Sequence, residues 1–278
     1  PLCRRWRKFC GCGRRKERDV KRVASVSFGK DSLAALLLLL ENEVPLNEVI
    51  FYDSGVEFQA IYDIRDRMKP ILEQRGVRFT EVEPHAPFLY NILEKPVDSK
   101  KNGFHLGYGW CGGPCRWGTG LKTHALDGIA SDAEIHYVGI AADEPERLER
   151  LTAPKCSPLA EAGMTEADCL AYCYQRGVFW EENGIRLYDI LDRVSCWCCK
   201  NKNRKELKAI YQYLPKYWAM LKELQAQIPA PMKPYSRGGV PYGNVFEMEK
   251  VFEAELLAEA SAPAVRPKLR RRRCDRVR

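Results

Sequence analysis

Six consecutive residues, Ser27-Phe28-Gly29-Lys30-Asp31-Ser32, constrain this chain more than any other stretch. An apolar run, Val23 to Val26, precedes them and reads as a short buried strand. Leu33 to Leu40, a run of strong helix formers, follows. A strand, a tight turn and a helix start make an anion cradle, because the first helical N–H groups have no intrahelical partner and the helix dipole adds positive potential there. Gly29 permits close backbone approach, Lys30 brings a full charge, and Ser27 and Ser32 bring hydroxyl donors. The spacing is not that of the Walker loop. The plain alternative is a polar helix start with no ligand.

The rest of the chain continues the alternation of strand and helix. Val49 to Tyr52 reads as a second strand ending at the turn Asp53-Ser54-Gly55. Gln59–Arg75 has Ile61, Ile64, Met68, Ile71 and Leu72 at helical spacing, with Pro70 as a possible kink or stop. Arg78–Val82 and Ile135–Ile140 read as further strands. The pattern predicts an α/β fold, a Rossmann-like and mostly parallel sheet with helices on both faces, followed by a helical Cys-containing region. Ligands of such sheets lie beyond the carboxyl ends of the strands, which places the Ser27 loop, the Asp53 turn and the Gly139 turn on one edge. Residues 84–120, rich in Gly, Pro and Trp, read as a long functional loop. Thr165–Gln175 is a helix with Thr165 as its cap, and Pro215 separates helices Leu207–Leu214 and Lys216–Gln227. The expected organisation is a basic arm (1–22), a nucleotide domain (23–150), a helical Cys-containing region (151–229), and a linker, short helix and basic tail (230–278).

The 278 residues carry a net charge of +8, but its distribution is uneven. Residues 1–22 hold ten Lys and Arg, and residues 266–278 hold eight; between them 34 acidic side chains outnumber 27 basic ones. The folded body is therefore acidic, and a nucleic acid would be met by the arms rather than by a basic patch on the body. Solvated tails without a partner are the alternative. With no apolar leader and no bilayer-length apolar run, the expected location is the cytoplasm, without a membrane contact. Twelve cysteines in a reducing compartment point to metal-binding or catalytic thiols rather than to disulfides.

Asp53-Ser54-Gly55-Val56-Glu57-Phe58 stands at a strand end, where a carboxylate can hold a ribose hydroxyl or a metal ion; a local Asx-turn with Glu57 as a helix cap is the alternative. The loop resembles the pyrophosphate loop of the adenine nucleotide alpha-hydrolase superfamily. Together with Asp53–Phe58 it looks like the phosphoadenosine phosphosulfate (PAPS) reductase family. Cys115-Arg116-Trp117-Gly118-Thr119-Gly120-Leu121-Lys122 and Gly139–Arg147 resemble two further family segments. The resemblance implies nucleotide contacts from Ser27, Phe28, Gly29, Lys30, Asp31, Ser32, Asp53, Gly55, Glu57 and Gly139. It implies catalytic roles for Lys30, Asp31, Lys122 and Arg147, with ATP, PAPS or adenylylsulfate bound and magnesium as an accompanying ion. Three departures stand out, the first being that Ala141 stands where relatives often have Arg. Gly118 occupies a position where relatives carry Cys, and the C-terminal catalytic Cys segment of the reductases has no counterpart, Cys274 lying in an arginine run.

Cys196 and Cys199 have C-x-x-C spacing, and Cys111 and Cys115 flank a flexible Gly-Gly-Pro. Four such thiolates suit a 4Fe–4S cluster or zinc; reduced structural thiols are the alternative. Cys169 and Cys173, spaced i,i+4, read as core residues. Cys3, Cys10 and Cys12 show no matching partner pair. The leading expectation is a PAPS reductase-like enzyme that transfers or reduces sulfur at a Cys-ligated centre. ATP-dependent thiolation of a nucleic acid and a non-catalytic nucleotide-binding subunit are the alternatives, with a homo-oligomer or a sulfur- or electron-donor protein as possible partners.

Overall fold

A computed structural model describes residues 20–100, 103–110, 115–233 and 243–261. Cys3, Cys10, Cys12, Cys111 and Cys274, most of both basic ends and much of the 230–243 linker lie outside them.

Five parallel strands form the central sheet: β1 (Arg22–Ser25), β2 (Glu48–Tyr52), β3 (Arg78–Val82), β6 (Ile135–Val138) and β7 (Lys155–Cys156), in the order β3-β2-β1-β6-β7. The order reverses at β1, so a crevice opens at the carboxyl end of that strand, where the Ser27 loop begins. Successive side chains point to opposite faces. Ala24, Val49 and Phe51 meet α1 (Lys30–Glu41) and α2 (Gln59–Gln74), while Val23 and Ile50 meet Ala130 and Ala133 beside α3 (Lys122–Ile129). Both faces are therefore covered, as the alternation predicts. Leu33, Leu36 and Leu39 of α1 are fully buried, each contributing about 1.5–3 kcal/mol of transfer free energy.

Helix α2 runs through Pro70 instead of stopping there. Ile61, Ile64, Met68 and Leu72 are buried while Pro70 is exposed, so core packing carries the helix past the proline. The segment expected to be a long loop, 84–120, instead holds two π-helical stretches, Tyr90–Glu94 and Arg116–Leu121, and an antiparallel hairpin of β4 (Pro96–Ser99) and β5 (Gly103–Leu106).

Downstream come α4 (Pro145–Leu148), α5 (Pro158–Ala162) and α6 (Glu166–Gln175). Thr165 caps α6 in a reciprocal capping box with Asp168. A small hairpin, β8 (Glu181–Glu182) and β9 (Ile185–Arg186), leads into α7 (Leu187–Ile190). Helices α8 (Arg204–Tyr213), α9 (Pro215–Gln227) and α10 (Val245–Ser261) close the described chain. Pro215 opens α9 at its first turn, where its missing N–H costs nothing. One continuous apolar cluster links Phe28 and Phe51 to Trp218 and Phe252, so the sheet and the C-terminal helices share a core. Among the described residues no helix is long and apolar enough to cross a membrane.

Candidate active site

The loop that follows β1 is held in a conformation its own sequence disfavours. Phe28 has φ 56°, the left-handed region that bulky residues avoid at a cost of about 1–3 kcal/mol. Its ring is fully buried and packs against Phe51 and Phe79. Burial of an aromatic ring returns about as much as the backbone conformation costs. The Phe28 carbonyl accepts a 2.7 Å hydrogen bond from the indole N–H of Trp180, itself fully buried. Phe28, expected among the nucleotide contacts, thus turns its side chain into the core and leaves only its backbone to the loop.

The loop is tied together by Ser32, whose hydroxyl accepts from Ser27 N–H at 3.1 Å and donates to the Gly29 carbonyl at 3.1 Å. Gly139, at the end of β6, is needed for close approach. A Cβ there would lie 2.5 Å from Ser32 Cα and 2.6 Å from Ser32 N. Ser27, Gly29, Lys30, Asp31, Ser32, Gly139 and Arg147 line one cavity of about 270 Å³, together with Glu144, Glu166, Tyr188 and the segment Asp192–Ser195. Lys30 Nζ donates to Asp31 at 2.8 Å and to Glu166 at 2.5 Å. Burial alone would lower the Lys30 pKa; its bonds to the two carboxylates outweigh burial and raise it. Burial raises Asp31 against the pull of Lys30. Arg147 donates to Glu144 at 2.6 Å.

A second cavity, about 400 Å³, is lined by Cys115, Cys196, Cys198 and Cys199, with Val56, Phe88, Trp117, Lys202 and Glu206. It shares Asp192, Arg193 and Ser195 with the first. Burial pushes the Cys196 and Cys198 thiols well above the usual range, and it lowers Lys202, whose ammonium donates to the Arg193 carbonyl at 3.2 Å. Three of the four expected metal ligands, Cys115, Cys196 and Cys199, thus reach one cavity from opposite parts of the chain, and Cys198 joins them. Soft thiol donors suit iron–sulfur or zinc chemistry. Among the described residues, however, no three His, Cys, Asp or Glu side chains stand close enough to form a metal site. Cys111 lies outside the described residues.

Other expected site residues divide between these cavities and a third. The carboxylate of Asp53 accepts from Gly55 N–H at 2.7 Å and from Tyr62 at 2.8 Å, so the Asx-turn is formed. Asp53 and Gly55 line a neighbouring cavity of about 700 Å³ with Glu83, His85, Phe88 and Trp197. Glu57 accepts from Ser54 at 2.9 Å and lies 4.0 Å from the Cys196 sulfur. Burial raises its pKa against the opposing charge of Lys122. Glu57 therefore lies beside the Cys196 thiol, whereas Lys30 and Arg147 line the loop cavity. Cys169 and Cys173 are fully buried core residues, as their spacing predicts. Sequence reading missed Trp180, Tyr188, Glu166 and Lys202. None lies in a recognisable motif, and only folding brings them to the loop or to the thiols.

The phosphoadenosine phosphosulfate reductase domain model matches residues 21–94. No curated protein matches the chain. Among solved structures, the chain is similar to the U34-tRNA thiolase NcsA from Methanococcus maripaludis with its 4Fe–4S cluster, at 17% identity and a TM-score of 0.44, over 89% of this chain and 86% of that one. That likeness is too loose to carry chemistry across. The loop and the Asp53–Phe58 turn lie in the stretch that matches the phosphoadenosine phosphosulfate reductase domain, the family whose motifs they resemble.

Proposed function

We propose that this protein is an adenine-nucleotide-dependent enzyme of sulfur chemistry, which activates an acceptor with ATP and places sulfur on it. The observation that supports this most is the common wall: Asp192, Arg193 and Ser195 line both the loop cavity and the thiol cavity. A phosphate held by Ser27, Gly29, Lys30 and Ser32 would sit next door to Cys196 and Cys199. In the reaction, an acceptor oxygen attacks the α-phosphorus of ATP. The bond between that phosphorus and the bridging oxygen breaks, and pyrophosphate leaves with the oxygen. A sulfur nucleophile then displaces AMP from the adenylylated acceptor. Lys30 and Arg147 stabilise charge on the departing pyrophosphate, a positional and electrostatic contribution.

Cys115, Cys196 and Cys199, with Cys111, would hold an iron–sulfur or zinc centre, which when bound supplies a site for sulfide or thiolate. The basic ends would give salt-sensitive attachment to a nucleic-acid acceptor. The test is transfer of labelled sulfur to RNA or DNA with release of pyrophosphate. Sulfite formed from PAPS without pyrophosphate release would redirect the assignment to reduction. Lys30→Ala is expected to weaken ATP binding by about tenfold to a hundredfold, the scale of a lost charge-assisted contact. Unchanged ATP affinity in that variant would remove the phosphate-loop assignment.

A further inference from the structure

The loop's own donors are only part of what faces the phosphate cavity. Tyr188, 158 residues beyond Lys30, lines it as well. Its phenol oxygen accepts the Lys30 backbone N–H at 2.9 Å, one of the donors at the start of α1 that a phosphate would otherwise take. The oxygen lies 3.6 Å from where a Cβ on Gly29 would stand. Among the described residues, nothing accepts the Tyr188 hydroxyl proton. The ring cannot easily leave: it meets Trp180 edge-on at 4.9 Å, and Trp180 is buried with its N–H on the Phe28 carbonyl. Burial also keeps the phenol protonated.

We propose that Tyr188 is a phosphate-binding residue that accepts from Lys30 N–H and donates its own proton to a phosphate oxygen of a bound di- or triphosphate. It relays the helix-terminal donor outward into the cavity. An O–H donor to an anionic oxygen makes a short, strong hydrogen bond, and accepting from Lys30 N–H polarises the phenol further. This proposal rests on the phosphate-binding reading of the loop.

The rival role is a plug that phosphate must displace. Glu166 fits that role better. It holds Lys30 Nζ from a side chain 38% exposed, free to swing outward, whereas the Tyr188 ring is clamped by Trp180.

The test is calorimetric titration of wild type and Tyr188→Phe with inorganic pyrophosphate, ATP and adenosine. Phenylalanine keeps the ring packing and removes only the hydroxyl. The expected result is pyrophosphate and ATP affinity weakened about five- to twentyfold, with adenosine affinity unchanged. Equal or tighter pyrophosphate binding by Tyr188→Phe overturns the proposal, and tighter binding assigns the plug role to Tyr188. Wild type that binds neither pyrophosphate nor ATP overturns the loop reading itself, a separate outcome. Should the variant fail to fold, the wild type still decides: pyrophosphate, but not adenosine, must perturb tyrosine ultraviolet absorption, and no perturbation counts against Tyr188.

Discussion

The two adjoining cavities balance their charges in opposite ways. Around the Ser27–Ser32 loop, Lys30 pairs with Asp31 and Glu166, and Arg147 pairs with Glu144. Around the thiols, burial dominates. Cys196 and Cys198 are held neutral, and Lys202 has its pKa lowered while its ammonium bonds a carbonyl. On the proposed reading, a phosphate entering the first cavity would take over partners already in use. The second gains most from a positive centre that stabilises thiolate. On the proposed reading, one site would exchange anions and the other would change the charge of its sulfur.

Three experiments press on that contrast. The largest effect is expected from Cys196→Ser. Sulfur transfer should fall roughly 10³-fold or more, the scale of removing a chemical group, while pyrophosphate binding stays within about twofold, inside the additivity of separate sites. A parallel loss of both, measured by label transfer and calorimetry, would merge the two cavities into one functional unit.

Gly139→Ala should do the reverse. The new methyl meets the Ser32 backbone, so denaturant titration should show about 1–3 kcal/mol of lost stability, as for an overpacked core. Pyrophosphate affinity should drop while thiol reactivity with an alkylating reagent stays as in wild type. Normal pyrophosphate affinity would mean that the loop tolerates displacement.

The smallest effect concerns pH. His136 lies buried in β6 with Ser25 Oγ 2.6 Å from its Nε2, on the strand pair that leads into the loop. Burial, then the charge of Lys155, lowers its pKa below the usual value of 6.5. The unfolded chain therefore binds a proton that the folded chain refuses. Stability contributed by neutral His136 is complete above about pH 6.5 and falls as pH drops toward the folded pKa, by at most about 1.4 kcal/mol per pH unit. Chemical denaturation between pH 7.5 and 5.5 should show this decline, and His136→Gln should flatten it. An equal slope in the variant would assign the decline to other groups.

Legibility followed locality. The first strand, its turn and the helix start could be read because they are consecutive, and the unpaired helix-terminal donors follow from backbone geometry alone. The continuous burial of β1 and β2 and the capping of α6 by Thr165 are likewise encoded within a few residues. The hairpin of β4 and β5 was hidden because its residues are largely exposed and show no clean apolar alternation. Strand β7 was hidden because two residues carry no pattern. Pro70 suggested a break that buried Met68 and Leu72 override.

The sequence by itself determined that a tight polar turn joins the first strand to the first helix of a parallel α/β sheet, because each of those signals lies within one short stretch. Tertiary structure alone decided how that loop is held and what adjoins it. Trp180 supports the left-handed Phe28, Tyr188 takes the Lys30 N–H, Glu166 takes the Lys30 ammonium, and Asp192–Ser195 puts the thiols next door. These contacts join residues more than a hundred positions apart, and no propensity or periodicity within either segment specifies them; packing of α6 and α7 against the loop does.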